Sequence, residues 1–335
     1  MHGIHRLAIP TPFAVGRVNC YLIEDDPLTL LDTGPNSGKS LDELEQALAA
    51  TGPGYRIEDI ERIVVSHQHI DHLGLLDILA RRSGAEVCAL DLLAPLIERF
   101  ATEADSDDDL AVALMLAHGI PPDVVSALRS VSRAYRAWGA SAKVDRRLTD
   151  GGTLPFRDRT WEVQHRPGHS PTDTIFWDAE RSVLLGGDHL IGHISSNPLI
   201  SRPVGGRSGD PDPERRPRAL ETYIASLGLT RELPADVVLP GHGEPVTEHA
   251  KLIDERFALH ERRARKIGRL IAETPRSAYE IAQALWGNVA VTQAYLTLSE
   301  VLGHVDLLLT QGEVREVEED GVVRFEPMGA GAAAA

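Results

Sequence analysis

The sequence predicts a mixed α/β fold, followed by a smaller domain of helices and one β-hairpin. Short apolar and β-branched runs alternate with stretches of helical periodicity in the first third of the chain. This alternation is typical of helices packed on a sheet. Helical stretches and a hairpin signal then close the chain, and 335 residues suffice for one large domain with a buried core plus a small one.

The first elements follow the order β, β, α, β, α, β. The strands are predicted at "VNCYLIED", "LTLLDTG", "IERIVVS" and "AEVCALD", where apolar runs end in turn residues. The first helix is predicted at "SGKSLDELEQALAATG", with Ser40 as its N-cap and Gly52 as its stop. The second, "LGLLDILARRSG", is predicted to end at Gly84.

Residues from about 100 to 144 predict a helical insertion without strands. The acidic run "DSDDD" within it is interpreted as a helix N-terminus that complements the macrodipole, in preference to a metal site. Strands and turns return in "GGTLPFRDRTWEVQHRPG", "DTIFWDAERSVLLGGD" and "ADVVLPGHG". The first domain is therefore predicted to cover residues 1–246.

The last third of the chain predicts a separate arrangement of helices and a hairpin. A long amphipathic helix is followed by a second helix with Ser277 and Glu280 in capping-box spacing, and by a third that ends at a glycine. Asp320-Gly321 predicts the turn of a β-hairpin. We expect a winged-helix-like domain at 247–328 and a disordered tail at 329–335.

Composition excludes several classes of protein. The formal net charge of −16 argues against a protein that coats nucleic acid, although a local basic groove remains open. Cys20 and Cys88 lie in apolar strands and are interpreted as core residues. The first residues do not resemble a signal peptide, and no apolar run reaches the ~18 residues of a membrane span. We expect a cytoplasmic protein with no membrane partner.

Histidine and aspartate are crowded in "SHQHIDHLG", directly after a predicted strand. His67, His69, Asp71 and His72 therefore fall where α/β folds place their sites. Alternate residues of an extended segment share a face, so His67 and His69 can reach one ion, while Asp71 and His72 reach a second after the chain bends. A histidine-rich surface loop is the alternative, but imidazole and carboxylate at this spacing favour a transition-metal site.

Further candidate ligands occur in the same context later in the chain. His169 in "RPGHSPTDT", Asp188 in "VLLGGDH" and His242 in "VVLPGHG" each lie in a turn after a strand. We expect these turns to meet at one edge of the sheets. Asp32 in "LLDTGP" is either a partner of a ligand histidine or a turn-capping residue. His189 and His193 either line the pocket or are structural.

These motifs resemble the metallo-β-lactamase superfamily. "SHQHIDHLG" is similar to its HxHxDHxG signature, and "PGHS", "GGD" and "PGHG" follow in the expected order between Asn19 and about Val246. The resemblance implies an αββα sandwich of two mixed sheets with the site at one end. It also implies two divalent ions, zinc first and iron or manganese otherwise, with a metal-held hydroxide as nucleophile.

The resemblance assigns a ligand to each motif position. His67, His69 and His169 would bind the first ion, while Asp71, His72 and His242 would bind the second, with Asp188 as the bridge. Asp71 and Asp188 would be the catalytic carboxylates.

The substrate is the open question at this stage. Zinc β-lactamases of the commonest subclass have a cysteine where Asp188 stands, which argues against antibiotic hydrolysis. The last third resembles the lactamase-associated winged helix, whose subfamily includes acyl-carrier thioesterases and single-strand-specific endoribonucleases. The first hypothesis is a glyoxalase II-like hydrolase of a small acyl ester or thioester, with the apolar insertion as a lid.

Two other hypotheses compete with the first. A metal-dependent endoribonuclease would use the basic run "ERRARKIGRL" to bind single-stranded RNA, but the hairpin "EVREVEEDGVV" is acidic. A DNA-binding regulator that senses a ligand is the third and weakest, because the ligand set is complete. The C-terminal domain is expected to pack on its own hydrolase domain or on a second copy in a homodimer.

Overall fold

A computed structural model describes residues 2–204 and 216–328. The tail predicted at 329–335 lies outside these residues. Among them, one compact unit holds the chain up to Ala104, Arg133–Ser196 and Glu232–His249. The other holds Asp105–Ser132, the described part of Asn197–Arg231 and the chain from Ala250. The second unit thus includes segments that the sequence assigned to the domain at 1–246, and the domain limits stay a prediction.

The first unit contains two sheets. The larger has its strands in chain order, antiparallel from β1 to β3 and parallel from β3 to β6. They are β1 (Ile4–Ile9), β2 (Val18–Ile23), β3 (Thr29–Leu31), β4 (Arg62–Val65), β5 (Glu86–Leu90) and β6 (Arg146–Leu148). The sequence prediction missed β1, an edge strand in which His5 and the exposed Arg6 interrupt the apolar run.

The second sheet has the order β11-β10-β9-β8-β7, in which only β10 and β11 are parallel. Its strands are β7 (Thr153–Pro155), β8 (Thr160–His165), β9 (Thr174–Asp178), β10 (Val183–Gly187) and β11 (Val237–Pro240). Trp161 and Phe176 from this sheet share one apolar core with Leu30 and Val64 from the other. Both sheets are therefore mixed, as predicted. Cys20 and Cys88 are free thiols within the core, also as predicted.

The helices near the first sheet are α1 (Gly38–Ala49), α2 (Ile70–Leu73), α3 (Leu76–Ser83) and α4 (Ala94–Glu98). The sequence predicted Ser40 as the N-cap of α1, but the N-cap is Ser37. The hydroxyl oxygen of Ser37 accepts the backbone N–H of Ser40 at 3.0 Å, so the helix begins one turn earlier than the apolar periodicity indicates. Helix α3 ends at Gly84 with a φ of +73°, as predicted.

The predicted insertion forms α5 (Phe100–Ala117) and α6 (Pro122–Tyr135), with a 3₁₀ turn at Arg136–Trp138 and no strand in its described residues. The prediction that "DSDDD" forms a helix N-terminus was wrong, since α5 begins five residues earlier. Its carboxylates have specific partners instead. Asp107 pairs with Arg202 at 2.9 Å, and Asp109 pairs with Arg129.

The second unit is mainly helical and closes with a hairpin. Its later elements are α7 (Ala219–Arg231), α8 (His249–Glu273), β12 (Arg276–Ser277), α9 (Ala278–Trp286), α10 (Val289–Thr292), α11 (Ala294–Thr310), β13 (Val314–Glu319) and β14 (Val322–Pro327). Both hydrogen bonds of the capping box predicted at Ser277 and Glu280 are present. Asp320 and Gly321 have φ of 53° and 75°, as the predicted tight turn requires. Within the described residues, no helix is both long enough and apolar enough to cross a membrane.

Candidate metal centre

The histidine motif follows the end of a buried parallel strand. Strand β4 ends at Val65, and α2 begins at Ile70 with His69 as its N-cap. His67 therefore lies in the loop after the strand and His69 in extended backbone, whereas Asp71 and His72 lie in the first helical turn. The change of backbone conformation directs the two pairs into two groups, as the motif predicted.

The first group consists of His67, His69, His169 and Asp188, whose ligand atoms all lie within 4.8 Å of one another. Nδ1 of His69 is 3.0 Å from Nε2 of His67 and 3.0 Å from Nε2 of His169. Oδ2 of Asp188 is 3.6 Å from Nε2 of His169. Turns after three strands, β4, β8 and β10, thus bring four donor atoms to one point.

The second group consists of Asp71, His72 and His242. Oδ2 of Asp71 is 3.3 Å from Nε2 of His242. Asp188 reaches this group as well, because its Oδ1 is 3.4 Å from Nε2 of His72 and its Oδ2 is 3.4 Å from Nε2 of His242. The carboxylate of Asp188 therefore lies between the two groups, and the structure brings together all seven predicted ligands.

The donor atoms fit divalent metal ions. Nε2 of His72, Nε2 of His242 and Oδ1 of Asp188 are buried and make no hydrogen bond within the described residues. Buried polar atoms without hydrogen bonds are costly and uncommon. Nitrogen and carboxylate donors in this number are the ligands that transition metals prefer. These residues, with the family described below, indicate divalent metal binding.

Hydrogen bonds on the far side of the rings fix which nitrogen faces the centre. Nδ1 of His72 donates to Oδ2 of Asp32 at 2.8 Å, and Nδ1 of His242 donates to the carbonyl oxygen of Arg17 at 2.9 Å. Asp32 also accepts the backbone N–H and the hydroxyl of Ser66, each at 2.8 Å. Asp32 is thus the hydrogen-bond partner of a candidate ligand histidine, and it ties that ring to the end of β4.

Burial and neighbouring charges separate the histidines into two electrostatic classes. Burial, and then the neighbouring His169, lower the pKa of His69 to about 3, which keeps the imidazole neutral with a lone pair available. Burial would lower the pKa of His242 too, but Asp188 and Asp71 raise it to about 9. Ions that bind at the second group must therefore displace protons, so metal binding there releases protons.

The sequence prediction missed two residues that support the centre. Asp173 is 2% exposed and accepts the backbone N–H and the hydroxyl of Ser170, at 2.9 and 2.8 Å. It thereby closes the turn that carries His169. A Cβ atom on Gly241 would lie 2.2 Å from Oδ1 of Asp188, so only glycine fits there. Gly241 is the first glycine of the "PGHG" motif, so the sequence did contain a sign of this close approach.

His189 and His193 are in neither group of converging donors. His189 is fully buried, and burial, followed by Arg166, lowers its pKa to about 3. His193 is exposed, with its ring against Gly243.

Comparison with known proteins identifies the family. A profile described as the metallo-β-lactamase superfamily matches residues 14–242. The chain belongs to this superfamily. A second profile, the metallo-β-lactamase-like C-terminal domain, matches residues 265–328. Membership supports a metal-dependent hydrolase with the mixed α/β fold that the sequence predicted.

Two relatives match nearly the whole chain, and a third matches about half of it. A probable metallo-hydrolase of Bacillus subtilis, YqjP, is 32% identical over 96% of this chain and 97% of its own. A β-lactamase domain protein of Burkholderia ambifaria has a crystal structure that is 27% identical, covers 97% of this chain and 92% of its own, and has a TM-score of 0.83. An atrochrysone carboxyl ACP thioesterase of Aspergillus fumigatus is 23% identical over 54% of this chain and 40% of its own.

Proposed function

We propose that this chain is a dinuclear metal-dependent hydrolase of small acyl esters or thioesters, similar to the glyoxalase II-like enzymes. The observation that carries the proposal is the position of Asp188. Its carboxylate oxygens lie 3.4 to 3.6 Å from ring nitrogens of both groups, so one carboxylate would be available to both ions. A carboxylate at this position supports ester or thioester chemistry over β-lactam hydrolysis.

The proposed centre assigns a role to each side chain. His67, His69 and His169 would hold one ion, and Asp71, His72 and His242 the other, with zinc as the proposed metal and iron or manganese as alternatives. When bound, the ions supply Lewis acidity and lower the pKa of water toward about 7. Asp71 and Asp188 contribute the negative charge that holds the cations, and their carboxylates can accept the hydrogen bond that orients the attacking water. Asp32 accepts a hydrogen bond from Nδ1 of His72 and so keeps the proton on that nitrogen. The lone pair of Nε2 is then available to a metal ion.

The similarity to the ACP thioesterase of Aspergillus fumigatus supports the thioester class. Addition of water to a thioester carbonyl releases a carboxylic acid and a thiol, so a thiol reagent follows the reaction directly. We expect metal-dependent thiol release from at least one member of a panel of acyl thioesters, with loss of activity in Asp188→Asn. If no acyl ester or thioester is turned over by metal-replete protein, the proposal is wrong.

A metal-dependent endoribonuclease is the second candidate function. The observation in its favour is a stripe of exposed cations on α8, at Arg262, Arg265, Lys266 and Arg269. The hairpin opposes it, because its exposed side chains include Glu316, Glu318, Glu319 and Asp320, which repel phosphates. Cleavage of labelled single-stranded RNA by the wild type, but not by Asp188→Asn, would favour this function over the first.

Three other sequence-based expectations stay proposals. The helices and hairpin from α9 to β14 support a winged-helix-like domain. A homodimer can be tested by light scattering of the purified protein. A cytoplasmic location can be tested by cell fractionation.

A further inference from the structure

Another group of side chains of the kind that bind metals lies in the second unit, and it shares no residue with the centre described above. His260 lies on α8, and Glu300 and His304 lie one turn apart on α11. One ring nitrogen or carboxylate oxygen of each residue lies within 4.8 Å of the others. His260 and His304 are 1% and 0% exposed, and the side chain of Glu300 is 11% exposed. Three donor groups therefore converge in a buried place.

A backbone hydrogen bond fixes the tautomer of His304. Its Nδ1 donates to the carbonyl oxygen of Glu300 at 2.6 Å, so the lone pair of the neutral ring is on Nε2. That atom lies 3.2 Å from Nδ1 of His260. Two nitrogen ligands of a tetrahedral zinc ion, with bonds of about 2.0 to 2.1 Å, are about 3.3 to 3.4 Å apart. The separation is close to the one that a shared ion imposes.

The direct alternative is a hydrogen bond between the two rings with no ion present. In that arrangement Nδ1 of His260 donates to Nε2 of His304. A bound ion would instead take the lone pairs of both nitrogens, with the proton of His260 on Nε2. Zinc titration separates the two arrangements.

Both rings are available as ligands at neutral pH. Burial is the main cause that lowers the pKa of His260 and of His304, each to about 4. Neutral imidazole is the form that binds metal, so no proton has to be displaced. Two imidazoles and one carboxylate match zinc, cobalt and nickel better than magnesium or calcium.

We propose that His260, Glu300 and His304 bind one divalent transition-metal ion of the zinc class, which ties α8 to α11. This site shares no residue with the proposed hydrolytic centre. A single ion held by residues 40 apart in sequence would stabilise the packing of the two helices.

Arg263 would compete with a metal ion for the carboxylate of Glu300. Its guanidinium pairs with the carboxylate of Glu300 and lies 5.9 Å from the centre of the Trp286 ring. The arginine holds the carboxylate in place, and its positive charge repels an incoming ion. Replacement of Arg263 by a neutral residue is therefore expected to strengthen metal binding, whereas it would only destabilise a purely structural ion pair.

The first test is an anomalous difference map at the zinc edge, from crystals of the full-length protein grown with zinc. The proposal predicts a peak between His260, Glu300 and His304, in addition to density at the hydrolytic centre. Density at the hydrolytic centre with none between these three side chains overturns it. This measurement needs no variant, so a folding defect cannot obscure the result.

The second test is zinc titration of full-length variants that retain wild-type circular dichroism. Loss of a residue that only hydrogen-bonds to a metal ligand lowers metal affinity by roughly 10- to 100-fold. His304 is a proposed direct ligand, so His304→Gln should weaken zinc binding at this site by more than about 100-fold. It should also remove about one equivalent of bound zinc per chain. Arg263→Gln should bind zinc more tightly at the same site. The matched control is His118→Gln, a buried histidine of the same unit outside the group, which should keep the wild-type equivalents. Equal zinc content in His304→Gln and the wild type contradicts the proposal.

Discussion

Asp32→Asn tests how the centre holds a ligand histidine in its binding tautomer. The backbone at Asp32 has a φ of +59°, which asparagine tolerates well, so the change leaves the turn intact. The new amide can accept the backbone N–H of Ser66 with its oxygen, but its NH₂ group then faces Nδ1 of His72. That nitrogen must become an acceptor, and its proton moves to Nε2, the atom that faces Asp188.

The expected cost falls on metal binding. Loss of a partner that orients a ligand lowers metal affinity by roughly 10- to 100-fold, which is about 1.4 to 2.7 kcal/mol. The effect on the fold is limited, because asparagine keeps the hydrogen bond to the backbone of Ser66 and can donate to its hydroxyl. One charge-assisted hydrogen bond is lost, at a cost of about 1.5 to 3 kcal/mol at most, which is comparable to the cost in metal binding.

The assay is competition with a chromophoric chelator, beside a urea unfolding curve of each metal-free protein. The matched control is Asp178→Asn, which alters a fully buried carboxylate that pairs with Arg159 and Arg181 in the same unit. We expect the control to lose stability and keep its metal affinity. If Asp32→Asn binds metal as tightly as the control does, the proposed role of Asp32 is wrong.

Three further predictions follow from single contacts. Gly241→Ala would place a Cβ atom 2.2 Å from Oδ1 of Asp188 and 2.8 Å from Cε1 of His72, so we expect loss of metal in atomic absorption without loss of secondary structure in circular dichroism. Ser277→Ala removes an N-cap and should cost about 0.5 to 2 kcal/mol in urea unfolding, whereas an equal loss in exposed Ser130→Ala would show that the cap is not the cause. Burial lowers the pKa of His118 to about 3, so the unfolded chain binds the extra proton between pH 6.5 and 3, and stability falls as the pH falls through this window. His118→Phe should therefore lose about 2 kcal/mol less than the wild type between pH 7 and pH 5, and parallel losses would contradict the assignment.

The convergence of the candidate ligands could be predicted from the sequence because its signals are local. His67 follows the carboxyl end of the parallel strand β4, where α/β folds place their sites. β8 and β10 both run antiparallel to β9, so the turns that carry His169 and Asp188 leave the same edge of the second sheet. Asp32 could not be decided in the same way. A turn-capping aspartate and a histidine partner look alike in sequence, and only the distance of 2.8 Å to His72 separates them.

Features that depend on tertiary contacts were missed or misread. The acidic run in α5 looked like a helix start, since its arginine partners, including Arg202, lie far away in sequence. Glu300 and His304 belong to no sequence motif, and their relation to His260 appears only when α8 and α11 are placed together. Asp173 carried no motif of its own, because its role is to hold the turn around His169.

The most direct test of the central claim is the rate of thiol release from acyl thioesters as a function of bound metal per chain. The measurement uses the His304→Gln variant, so that only the hydrolytic centre contributes. We expect no turnover by metal-free protein, activity that rises with bound metal and saturates at two ions per chain, and loss of that activity in Asp188→Asn. Turnover that survives complete metal removal, or full activity in Asp188→Asn, would contradict it.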